Sequence, residues 1–185
     1  MRRYLAAPVL AACMAVAGTA QAAGPTEFDA CFQTAGDYYG ISPLLLKAIA
    51  RQESSMNPRA SNQNTNGTKD IGLMQINTTH MPKLRRAGVD EQRLWEPCVN
   101  IAVGAWVLAD AVSRHGMTWK AVGIYHSPTE WRQKDYAARI QRHLVREIRA
   151  YEAMAGSAAQ ATPAAPTRST PVAAPAPIAD AAGSP

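Results

Sequence analysis

Residues 42–52 have few possible homes in a folded chain. Ser42 followed by Pro43 has the form of a helix start: a capping hydroxyl, then a proline in the first turn, where a missing N–H costs nothing. Leu44-Leu45-Leu46-Lys47-Ala48-Ile49-Ala50 comes next and is apolar on almost every side. A helix without a polar face must be enclosed by other elements, so this segment is predicted to be the central helix of the domain. Its end changes character abruptly. Glu53 stands where the apolar run gives way to Ser54-Ser55-Met56-Asn57-Pro58, and nineteen residues after Glu53 begins Gly72-Leu73-Met74-Gln75-Ile76-Asn77. Desolvation raises the pKa of a carboxylate at such a boundary and makes it a general acid near neutral pH. A glycosidic oxygen needs an acid of that kind, because it leaves poorly unless it is protonated as it departs.

The rest of the chain organises around this helix. A first helix is expected over 25–39, with Phe28, Cys31 and Phe32 inward and Gly40 as its stop. Residues 54–70 are rich in Asn, Ser, Thr and Gly and read as a long loop with a function. Helical signals resume over 78–87. A short turn follows around 90–94. A strong helix is then opened by Pro97, carries Val99, Val103, Trp106 and Val107 inward, and is stopped by Gly116. A short helix over 119–125 and an amphipathic one over 137–154 complete the domain. No segment sustains strand alternation. The fold class is therefore mainly α, a single helical domain, with at most a small β element near 65–76.

Both ends differ from this middle. Arg2 and Arg3, the apolar run 5–17 and Ala20-Gln21-Ala22 form an export signal cut after residue 22; the run is too short for a membrane-spanning helix. Leu10-Ala11-Ala12-Cys13 offers the alternative of a lipoprotein anchored at Cys13. After residue 153 the composition narrows to Ala, Pro, Ser and Thr, which cannot bury enough apolar surface to order itself, so 154–185 is expected to be a disordered tail. The mature domain, 23–153, would hold two of the three cysteines, Cys31 and Cys98. In an exported chain these are expected to form one disulfide, two buried free thiols being the alternative. The expected compartment is the periplasm.

Charge and composition exclude several classes. Without Arg2, Arg3, Arg168 and Asp180, sixteen basic and thirteen acidic side chains remain, a balance of about +3. That suits an anionic polymer and is too weak to argue for nucleic acid. Arg139, Arg142, Arg146 and Arg149 share one helix face, either a docking surface or a solvated one. Asn62, Asn64, Asn66 and Gly67 imitate half of a calcium loop, but Leu73 holds the position of the bidentate Glu. His80, His115, His126 and His143 lack ligand spacing, so neither metal nor cofactor is expected. Among the tryptophans, Trp106 is expected in the core, and Trp131 is the better candidate for an exposed position than Trp95 or Trp119.

Around Glu53, the Gln75 and Asn77 amides could bond the acetamido and hydroxyl groups of an amino sugar, and Gly72 would admit close approach of backbone or ligand. Asp70, seventeen residues after Glu53, is either a second carboxylate facing the acid or a loop-capping Asp.

Glu53-Ser54, then Gly72 to Asn77, then Asn100-Ile101 with Gly104, then Ala121 to Tyr125 resembles the ordered motifs of the soluble lytic transglycosylase family. The resemblance runs from about residue 28 to 144 and is strongest to the small members that accompany secretion, conjugation and pilus assembly. It implies a goose-type lysozyme-like fold and a monomer acting on peptidoglycan. Glu53 would be the acid/base, Ser54 the serine that positions it or the substrate, Met74 and Gln75 cleft-lining residues, and Tyr125 the aromatic that hydrogen-bonds near the acid and holds it in place. One departure stands out. The family motif Tyr-Asn-Ala-Gly reads Tyr125-His126-Ser127-Pro128 here, and the proline removes a donor and the freedom for positive φ. His126 is read as a surface histidine, with a pH-sensitive sugar contact as the alternative.

Overall fold

The computed structural model describes residues 26–160. The export signal, Cys13 and most of the expected tail lie outside them. Six helices and a small sheet follow in the order α1 (Asp29–Tyr39), α2 (Pro43–Ser54), β1 (Ser61–Gln63), β2 (Lys69–Ile71), β3 (Ile76–Asn77), α3 (Met81–Arg86), α4 (Pro97–His115), α5 (Trp119–His126) and α6 (Glu130–Gln160). Single 3₁₀ turns at Thr78–His80 and Arg93–Trp95 precede α3 and α4. Among the described residues no helix is long and apolar enough to cross a membrane.

The central position of α2 follows from its sequence: every residue from Leu45 to Ala50 is buried. Its start differs in detail from the expectation. The Ser42 side chain makes no capping bond; instead the Ser42 carbonyl accepts from the Leu45 and Leu46 N–H groups. Lys47 is buried with the rest because it has partners, Asp29 at 3.0 Å on α1 and Glu147 at 3.7 Å on α6. Glu147 also accepts from Arg51 Nε at 2.6 Å. A buried ion pair carries a desolvation cost that its attraction only partly offsets, so this network specifies the docking of three helices more than it stabilises them. The Cys31–Cys98 disulfide is formed, with Cα atoms 5.1 Å apart, and joins α1 to the first turn of α4.

The sheet is antiparallel in the order β1-β2-β3, with Ser61 opposite Ile71 and Asp70 opposite Asn77. It begins before the expected 65–76 region. Strands of two or three residues, one of them wholly exposed, leave no alternation to read. The largest departure is α6. It starts seven residues before the expected 137 and continues to Gln160, into the segment read as tail. At its start, the Gln133 side chain donates to the Ser127 and Pro128 carbonyls, and Ser127 Oγ accepts from the Thr129 N–H. At its end, three of residues 155–160 are alanine, the residue that costs a helix least. Trp106 is in the core as expected, and Trp131 is exposed, on α6 rather than in a loop.

Candidate active site

Glu53 lies in the last turn of α2, which ends at Ser54 and not at the expected 52. The helix ends on Ser55 and Met56, both left-handed at φ 55° and 68°, and so turns sharply away. Gln75, at φ 48°, is the third non-glycine residue at positive φ among those described. L-residues pay about 1 kcal/mol or more for this conformation. Two of the strained positions follow Glu53 closely, and the third lies in the turn that Ser54 and Tyr125 bond.

The Tyr136 hydroxyl donates to Glu53 Oε1 at 2.5 Å. Oε2 has no hydrogen-bond partner among the described residues and is not fully buried. Burial pushes the Glu53 pKa from its ordinary 4.5 up to about 7; the Asp70 charge adds to this, while the Tyr136 bond and Arg139 oppose it. The negative end of the α2 dipole acts in the same direction as burial. The result is a carboxylic acid with one oxygen anchored and the other free to present a proton.

Tyr125 takes a different role from the expected one. Its hydroxyl donates to the Met74 carbonyl at 2.8 Å, not to the acid. The group that holds Glu53 is Tyr136, eleven residues later on α6, which the motif reading missed. A signal was present: Tyr136, Ile140 and Leu144 recur at intervals of four, so the apolar stripe of α6 could have been extended back onto the tyrosine. The Tyr125 and Tyr136 rings are nearly parallel, 6.5 Å between centroids. Both hydroxyls are pushed well above the usual tyrosine range, first by burial and then by the Glu53 charge, so both remain donors.

The segment 72–77 is assembled mostly through its backbone. Ser54 Oγ donates to the Leu73 carbonyl at 2.8 Å, tying the end of α2 to this turn. Asn100, buried on α4, accepts from the Met74 N–H at 2.7 Å and donates to the Ile71 and Leu94 carbonyls, each at 2.9 Å. Gly72 is required beside it: at φ 75° a Cβ would come within 2.5 Å of the Asn100 amide. Met74, expected to line a cleft, is fully buried; a Cβ on Gly104 would lie 2.7 Å from its Cε. Gln75 donates to the Gly72 and Ala60 carbonyls, leaving its oxygen as the free end.

Asn77 is committed within the protein. Its amide nitrogen donates to Asp70 Oδ1 at 2.7 Å and to Thr68 Oγ1, and its oxygen caps the following 3₁₀ turn at the Thr79 N–H. Asp70 also accepts from Asn64 at 3.0 Å and Asn62 at 3.3 Å. Two of the asparagines that imitate a calcium loop, Asn62 and Asn64, are therefore turned toward a carboxylate, while Asn66 accepts from Thr68, and no cluster of metal-binding side chains occurs among the described residues. Asp70 is thus a fixed negative charge, held by three amides, whose field reaches Glu53. Of the residues expected at the site, Glu53, Ser54, Gln75 and Tyr125 converge, Met74 contributes backbone, and Asp70 with Asn77 forms an adjoining polar cluster.

Comparisons with known proteins give the family. Residues 30–156 match the family described as Transglycosylase SLT domain. Invasion protein IagB of Salmonella typhimurium is 38% identical over 130 residues, covering 70% of this chain and 81% of that protein. Protein IpgF of Shigella flexneri is 40% identical over 121 residues, covering 63% and 80%. The X-ray structure of an inactive mutant of Lytic Transglycosylase Slt from Pseudomonas aeruginosa shares the fold, with a TM-score of 0.50 and 24% identity over 84% of this chain but only 26% of that one. With a family match across most of its described residues around a buried acid of this kind, the chain belongs to the SLT-domain lytic transglycosylases.

Proposed function

We propose that this protein cleaves the β-1,4 bond between N-acetylmuramic acid and N-acetylglucosamine in peptidoglycan and leaves a 1,6-anhydromuramoyl end, with Glu53 as acid and then base. The observation that carries this reading is the state of Glu53: a pKa of about 7, Oε1 held by Tyr136 and Oε2 unpartnered. Protonated Oε2 gives its proton to the bridging oxygen as the C1–O bond breaks. The resulting carboxylate takes the proton of the muramoyl C6 hydroxyl while that oxygen bonds to C1. Acid and base cancel over the cycle and no water is consumed. Attack within one sugar has a high effective concentration, so the protein needs no bound nucleophile. Asp70, fixed by its asparagines, opposes early loss of the Glu53 proton and favours positive charge developing at C1.

That same charge supports a second reading, a hydrolytic muramidase in which Asp70 steadies the cation until water arrives. A murein-binding assembly factor without catalysis is the other rival. Zymography on murein gels decides between enzyme and binder: wild type clears the gel and Glu53→Gln does not. Equal clearing by the two proteins, or none by either, overturns the enzymatic reading.

The setting we infer is the periplasm, reached by export with the 1–22 signal. There the enzyme acts as a monomer, without metal or cofactor, and opens the wall locally for a secretion, conjugation or pilus apparatus. The disulfide and the likeness to Invasion protein IagB support this setting. Deleting the gene and measuring assembly of the apparatus encoded beside it tests it; unchanged assembly counts against it.

A further inference from the structure

His126 is the last residue of α5 and stands where the motif departs from the family pattern. Its ring lies flat on Tyr136, with centroids 4.7 Å apart and planes 3° from parallel. Tyr136 is 1% exposed and its hydroxyl is the one protein bond to Glu53 among the described residues. His126 itself is exposed, so its imidazole separates the Tyr136 ring from solvent. The groups around it come from two elements: Arg132, Asp135 and Arg139 on α6, and Asp70 on β2. Partial burial, then Arg139 and Arg132, push the imidazole below the usual histidine range, against the pull of Asp135 and Asp70. Arg139 is itself paired with Asp135 at 2.9 Å.

We propose that His126 is a positioning residue: its ring, stacked on Tyr136, shields the Tyr136 side of the Glu53 carboxyl group from water and so holds the Glu53 proton until the glycosidic oxygen arrives. A small polar side chain at 126 would uncover the Tyr136 ring, readmit water toward the carboxyl group and lower its proton affinity. A flat apolar ring would keep the seal. The inference depends on Glu53 being the acid, but it concerns the acid's environment and can be read without turnover.

The test compares wild type, His126→Asn and His126→Phe as mature full-length protein, with the Glu53 side-chain carboxyl followed by carbon-13 NMR between pH 4 and 9. Asparagine should lower the Glu53 midpoint by about 0.5–1 pH unit, and phenylalanine should leave it at the wild-type value. In murein digestion, the alkaline limb of the kcat profile should shift with the NMR midpoint while KM is unchanged. The exposed position of His126 allows all three proteins to fold. An unchanged midpoint in His126→Asn, or an equal fall in His126→Phe, overturns the inference. A midpoint that moves as expected in a protein that does not cleave murein upholds the seal and overturns the transglycosylase reading instead.

Discussion

Replacing Glu53 by glutamine should make the protein more stable, and only above about pH 4.5. The fold raises the Glu53 pKa from 4.5 to about 7. Between those values the folded state binds a proton that the unfolded state has released, so stability falls as pH rises. The contribution is complete below about pH 4.5 and lost on passing through pH 7. At 1.36 kcal/mol per pH unit the gap amounts to about 3 kcal/mol. Glutamine mimics the neutral acid: its oxygen can still accept from Tyr136, and it carries no charge to desolvate. The variant should therefore match wild type at pH 4, exceed it by about 2 kcal/mol at pH 6 and by about 3 kcal/mol at pH 8. For a domain of this size the last figure corresponds to roughly 10 °C in Tm. Other titrating groups cancel in the difference. Urea unfolding of the two oxidised proteins at the three pH values measures it. A difference independent of pH, or a variant less stable at pH 8 than at pH 4 relative to wild type, would refute the claim that burial keeps the Glu53 proton in place.

Tyr136→Phe removes the bond that favours the ionised acid, so the Glu53 midpoint should rise, carrying the alkaline limb of the kcat profile with it; loss of the anchor should lower kcat by about 10- to 100-fold. A midpoint that falls contradicts the geometry. Asn100→Ala strands the Met74 N–H and the Ile71 and Leu94 carbonyls in the core, and should cost about 3 kcal/mol in urea unfolding; a cost below about 1 kcal/mol would mean that the clamp is dispensable. Ser55→Gly at the exposed left-handed end of α2 should add about 0.5 kcal/mol, because relief of strain outweighs the extra freedom of glycine in the unfolded chain.

The parts of the fold that could be read from sequence are those whose buried side is apolar. The α2 run, the stripe of α4 and the cysteine pair all announce themselves by residue type. Glu53 could be found because it interrupts that pattern. What stayed hidden is the interior built from polar names. Gln133 and Tyr136 form the inward side of the first turns of α6, and a search for apolar periodicity starts that helix only at Ala137. Lys47 and Glu147 are buried because each answers the other from helices a hundred residues apart, which no local window contains. Asn100 was visible as part of a motif, but its three bonds go to backbone groups at 71, 74 and 94, and these take position only once the chain has folded. For the same reason the expected partner of Glu53 shifted from Tyr125 to Tyr136: the two rings share one stack, and only the geometry tells which hydroxyl reaches the acid.

Mass spectrometry of soluble fragments from purified sacculi tests the central claim most directly. Digestion by the wild-type protein should yield muropeptides lighter by one water than their hydrolytic counterparts and resistant to borohydride reduction, with none released by Glu53→Gln. Reducible, fully hydrated ends would contradict the internal attack at C1, and identical products from both proteins would remove Glu53 from the chemistry altogether.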